Sequence, residues 1–145
     1  MKKWQKLLAL FAFATAMALL EAIVVLYLRS LFAKEGLATN LEIPENLLLI
    51  EQSREAATIV MLLAAAFLSF QVWRNKLITF FWIFAVWDIC YYIFLKLILD
   101  WPESFKTPDV LFLIPYPWIT PVWFPLLFWG IIFIISSYLL FKIQE

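Results

Sequence analysis

Six side chains carry most of the chemistry that this sequence offers: Glu21, Arg54, Glu55, Asp88, Tyr92 and Lys96. Asp88 is the most exacting of them. It stands in the middle of an apolar run from Phe81 to Leu95 that is otherwise fit only for lipid, where an ionised carboxylate costs at least ~2.5–3.5 kcal/mol on insertion scales. On a helix Tyr91 and Tyr92 follow three and four residues on and Lys96 eight on, so Asp88, Tyr92 and Lys96 form one slowly rotating polar stripe. Carboxylates beside tyrosine and tryptophan suit acid–base work on a lipid or polyprenoid, with aromatic faces stabilising developing positive charge. An arginine among them can equally bridge carboxylates through its planar fork and leave a purely structural cluster. Glu51 shares a face with Glu55, with Arg54 beside them; together with Tyr91 and Trp87 it belongs to a secondary circle of candidates.

Other chemistries lose their parts. The chain has no histidine, which removes the usual haem, zinc and copper ligands and the serine–histidine triad. With only Gly36 and Gly130, there is no glycine-rich phosphate loop. A hard cation held by Glu21, Glu55 and Asp88 would be opposed by Arg54, so no metal site is expected, and no cofactor or catalytic residue is assigned. Cys90, the single cysteine, excludes an intrachain disulfide and reads as a packing residue. A formal net charge of zero gives no support for a nucleic-acid partner.

The elements that must hold these residues are membrane spans. Of 145 residues, 66% are apolar and 19% aromatic, and four stretches approach the ~20 apolar residues that cross a ~30 Å hydrocarbon layer. The sequence predicts an all-α polytopic membrane protein: one domain over residues 1–145, a four-helix bundle with spans at about 7–28, 53–73, 77–99 and 122–141. The amino-terminal run imitates a signal peptide, with Ala16-Met17-Ala18 as its small-x-small site, but continues past that site to Leu28 and reads as an uncleaved span. Ala14, Ala18 and Ala22 make a small-xxx-small ridge for close helix approach. Residues 29–43 read as a loop, Pro44 and Glu45 as the start of the second helix, and Arg74-Asn75-Lys76 as a tight turn that makes helices two and three antiparallel.

Six of the seven prolines fall between positions 102 and 125, which rules out a straight helix there. This Pro/Trp-rich segment between helices three and four is expected at the membrane interface. Residues 101–121 should form a lid over the outer end of the bundle, with Trp101 and Trp118 at headgroup level and Pro115 and Pro117 keeping it from pairing as a strand.

Lys2, Lys3, Lys6, Arg74, Lys76 and Lys142 fall on one side of the spans, and Glu35, Glu42, Glu45, Asp100, Glu103 and Asp109 on the other. Both termini are therefore expected in the cytoplasm. At 1.5 Å per residue, Glu21 lies roughly 22 Å above Lys6, Asp88 roughly 18 Å above Lys76 and Glu55 roughly 27 Å above Trp73. The charges thus converge on the outer half, where Arg54 is expected to pair with Asp88 and Lys96 to complete the balance.

Trp87-Asp88-Ile89, Tyr91-Tyr92, Leu95-Lys96, Trp101-Pro102-Glu103-Ser104, Thr107 and Asp109 ahead of Leu111-Phe112-Leu113-Ile114-Pro115, Pro117-Trp118 and Pro121-Val122 together resemble a family of small uncharacterised prokaryotic four-helix integral membrane proteins. The resemblance implies the architecture and a place in a prokaryotic inner membrane, and singles out these residues; it implies no reaction. The expected function is that of an accessory or structural subunit, or a lipid- or cofactor-binding bundle, whose partners are the bilayer and other membrane subunits or a second copy of itself. Two alternatives stand beside it: a membrane enzyme acting on a lipid or polyprenoid by carboxylate acid–base chemistry, and a small carrier or proton path joining Asp88 and Glu21 to both faces.

Overall fold

The computed structural model describes residues 1–32 and 43–143. Four helices, α1 (Lys3–Phe32), α2 (Glu45–Ser69), α3 (Trp73–Leu99) and α4 (Trp123–Lys142), form a bundle, with two short strands, β1 (Pro108–Val110) and β2 (Ile119–Pro121), between the last two helices. The expected loop at 29–43, and the charges Glu35 and Glu42 in it, fall mostly outside the described residues.

α3 is the axis of the bundle because it packs against each of the other three helices. Every residue from Trp82 to Asp88 is buried, whereas a helix at the margin of a bundle buries only one stripe. α1 has such a stripe: Leu7, Leu10, Ala14, Met17, Ala18, Ala22, Val25 and Arg29 recur at three- and four-residue steps and are buried. Ala14, Ala18 and Ala22 have no exposed surface, so the expected small-residue ridge is in the packed interface. Arg29, expected in a loop, belongs to the last turns of α1 and is 6% exposed.

α1, α3 and α4 are long and apolar enough to cross a membrane. α2 differs because its first half carries Glu51, Arg54 and Glu55, and the apolar remainder from Ala56 to Ser69 rises only ~21 Å. It also ends before the expected 73. Ser69 Oγ donates back to the Ala66 carbonyl at 2.6 Å, competing with the helix ladder, and Phe70 turns to extended backbone with its ring buried. The connection is therefore residues 70–72; Arg74-Asn75-Lys76, expected to be the turn, already lies in the first turns of α3.

The proline-rich segment contains a hairpin, which corrects the expectation that it would not pair. Pro108, Asp109 and Val110 face Pro121, Thr120 and Ile119 in antiparallel register. Both strands are edge strands, where a missing proline N–H costs no ladder bond, and Pro115 and Pro117 fall in the connection between them. The hairpin is fastened to the bundle at three points. Leu113 N–H donates to both carboxylate oxygens of Glu55 at 2.9 and 3.1 Å, Gln52 Nε2 donates to the Leu113 carbonyl at 3.1 Å, and the Tyr92 hydroxyl donates to Asp109 Oδ2 at 2.7 Å. It therefore covers the end of the bundle opposite the termini. At the terminal end, Lys3 Nζ donates to the carbonyls of Phe141 and Ile143 at 3.2 and 2.8 Å.

These fastenings predict that Glu55→Ala loosens the hairpin while sparing the helices. A hydrogen bond to a charged acceptor contributes about 1.5–3 kcal/mol, so amide exchange at 108–121 should accelerate by at least about tenfold with exchange in α3 unchanged. Unchanged exchange at the hairpin would show that Glu55 does not hold it.

Candidate functional site

Between the hairpin and the ends of α1, α2 and α3 that lie away from the termini is a chamber of about 640 Å³, within the ~300–1,000 Å³ usual for small-molecule sites. Eight of the nine residues singled out in the sequence line it: Glu21, Glu51, Arg54, Glu55, Trp87, Asp88, Tyr91 and Tyr92. Three helices converge on one level because α1 and α3 rise toward the hairpin while α2 descends from it.

Lys96 is the exception. It is half exposed and pairs with Asp100 Oδ1 at 2.7 Å, and its Nζ donates to the Pro102 carbonyl at 3.1 Å. A lysine in the last helical turn is held by the free carbonyls and the negative end of the dipole. The polar stripe of α3 stops at Tyr92.

Arg54 does not pair with Asp88. Its Nη1 donates to both oxygens of Glu21 at 2.6 Å, and its Nε donates to Glu51 Oε2 at 2.9 Å. Nη2 lies 2.8 Å from the same Glu51 oxygen. Glu51 is one turn away on the same helix and needs no tertiary geometry to reach the guanidinium; Glu21 then takes the face turned to α1. The result is a bidentate, two-carboxylate clamp between α1 and α2.

Asp88 is left without either expected cation. It is 8% exposed, and its Oδ2 is buried with no hydrogen-bond partner. Tyr92, one turn away on the same stripe, donates instead to Asp109. The indole nitrogen of Trp87 is also buried and unpartnered. Unpaired buried groups of this kind are uncommon, and each calls for a physical reason.

Three further lining residues, Arg29, Trp101 and Asp109, lie outside the set of candidate site residues, although the family resemblance includes Trp101 and Asp109. Arg29 lies with its guanidinium carbon 4.1 Å from the ring centroid of Trp101, a cation–π contact. Trp101, expected at the interface, is 3% exposed under that arginine, whereas Trp118 is 49% exposed. Asp109 reaches the chamber from β1. Burial pushes its carboxyl above the usual carboxylate range, while the Tyr92 hydroxyl and the charge of Arg29 pull it back.

The aromatic wall is continuous along α3. Phe84 meets Trp87 edge-on at 5.1 Å, Trp87 stacks near-parallel on Tyr91 at 6.4 Å, and Tyr91 meets Tyr92 at 5.2 Å. Toward the termini the lining ends at Glu21, Glu55 and Trp87, and the packed cluster that includes Ala18, Leu62 and Ile83, each fully buried, lies beyond them. Among the described residues, no group of histidine, cysteine and acidic side chains is arranged to hold a metal ion. Compared with known proteins, the chain matches no family model, no curated protein and no solved structure.

Proposed function

We propose that the protein is a membrane bundle that binds an amphiphilic molecule in this chamber, its apolar part along the aromatic wall and its polar part at the level of Asp88. The observation that carries the reading is Asp88, which lines the chamber and whose Oδ2 is buried without a hydrogen-bond partner, among aromatic and aliphatic side chains and an ion cluster that is already satisfied. A polar group left unpaired in a cavity lined largely by apolar and aromatic side chains is a usual form of ligand site. A chamber with a packed apolar cluster between it and the terminal end favours binding over conduction, since a carrier or proton path needs polar contact with both faces. An enzyme acting on a lipid would need the same chamber with a reacting group presented to Asp88.

In this reading α2 completes a four-span bundle. Its 25 residues extend ~37 Å, enough to cross, with the charged half sheltered by α1 and the hairpin. The hairpin then lies at the outer interface, where exposed Tyr116 and Trp118 suit the headgroup layer. Both termini are cytoplasmic in the inner membrane of a prokaryote, and the chain belongs with the four-helix family that it resembles, serving as an accessory subunit that presents or retains its ligand. A carboxy-terminal reporter should be active in the cytoplasm; activity only outside would reverse the orientation.

The binding test is native mass spectrometry of the protein released from its own membrane in mild detergent. The chain should carry one tightly held amphiphile, and Val25→Trp, which fills the chamber from α1, should remove it without unfolding the bundle. A bare polypeptide mass in every mild detergent tried would sink the reading.

A further inference from the structure

Five carboxyl side chains and two guanidinium groups line the chamber among the described residues: Glu21, Glu51, Glu55, Asp88 and Asp109 against Arg29 and Arg54. Arg54 is consumed by Glu21 and Glu51. Glu55 is held by the Leu113 amide. Asp109 has the Tyr92 hydroxyl and the field of Arg29. Asp88 has neither a cation nor a donor for Oδ2, and the nearby charge that acts on it is the like charge of Asp109.

From this arrangement, and resting on the amphiphile-binding reading above, we infer that the polar end of the ligand is an ammonium group, which Asp88 receives through a charge-assisted hydrogen bond beside Trp87 and Tyr91. An ammonium supplies what the site lacks. It donates N–H to the orphaned oxygen, offsets the like charges of Asp88 and Asp109, and lies well against indole and phenol faces. An anionic headgroup would meet the acidic side of the chamber with its arginines already engaged. The Trp87 indole N–H, also without an acceptor, is complemented by an oxygen close to the ammonium, as in a phosphoethanolamine headgroup. The same ammonium chemistry occurs in aminophospholipids and in free long-chain amines.

The test uses the full chain in mild nonionic detergent, with bound species counted by native mass spectrometry on addition of phosphatidylethanolamine, phosphatidylcholine, phosphatidylglycerol or dodecylamine. Phosphatidylethanolamine should be retained about tenfold better than phosphatidylglycerol, the step expected for one charge-assisted hydrogen bond. Phosphatidylcholine, whose quaternary nitrogen has no N–H, should fall between them. Displacement of phosphatidylethanolamine by dodecylamine supports a shared ammonium site with the phospholipid as a source, and retention of dodecylamine alone assigns the free amine. Asp88→Asn should abolish the preference by bringing phosphatidylethanolamine retention down to that of phosphatidylglycerol, with a melting temperature no lower than in the parent. A preference for phosphatidylglycerol, equal retention of the lipids with no binding of dodecylamine, or a preference that survives Asp88→Asn overturns the ammonium assignment while the chamber remains a lipid site. Retention of none of the four probes overturns the amphiphile-binding reading with it.

Discussion

Arg54→Leu should destabilise the bundle by about 3 kcal/mol, the lower end of the cost of breaking a buried ion pair from one side. The lower end applies because the Arg54 side chain is 26% exposed while Glu21 and Glu51 are 16% and 10% exposed. The loss is not the worth of the pair. It arises because two carboxylates would remain close together, poorly hydrated and without their cation. Adding Glu21→Gln and Glu51→Gln to Arg54→Leu should therefore recover most of the stability, a non-additivity of at least about 1.5 kcal/mol. Unfolding in mixed micelles, followed by tryptophan fluorescence, would measure it. If the triple variant is less stable than Arg54→Leu alone, the clamp does not work in this way.

Ala18→Leu should cost about 2–3 kcal/mol and disturb the chamber from a distance, since overpacking a tight interface displaces backbone. Ala18 has no exposed surface and belongs to the cluster that joins α1 to α3 and α2. A longer side chain pushes α1 away from α3, and Glu21 and Arg29 move with it. Ala18→Gly, which keeps the close approach, should lose only the ~1 kcal/mol of helix propensity. Leu8, 70% exposed on the same helix, should accept alanine almost without change. Equal melting temperatures for Ala18→Leu and Leu8→Ala would contradict the interface described for α1.

Helix existence and the level of the polar cluster were legible because hydrophobic length and 1.5 Å per residue are one-dimensional quantities. Which charges meet was harder, since rotation about each helix axis depends on packing. Two of the corrections could nevertheless have been read directly. Glu51 stands one turn from Arg54, and a local partner of that kind competes with any distant one. Lys96 is eight residues from Asp88, about 80° round the helix, and near a helix end where lysine has its own use. Arg29 continues the three- and four-residue stripe through Ala22 and Val25, so extending the helix beyond Leu28 would have found it. Asp109 is singled out by the family resemblance alone and by no spacing of its own. Its place in the chamber depends on a hairpin that turns back over α2 and α3, and the prolines, read as barriers to pairing, concealed it. The three-residue strands are too short for an alternating pattern to register.

The central claim is that the chamber below the hairpin holds an amphiphile whose polar end meets Asp88. An experimental density map of the protein purified from its own membrane, without stripping lipid, tests this most directly. The account predicts an elongated non-protein density that starts within hydrogen-bond distance of Asp88 Oδ2 and runs along Trp87 and Tyr91. A chamber filled by ordered water alone, or closed by Arg54 turning from Glu21 to Asp88, would contradict it.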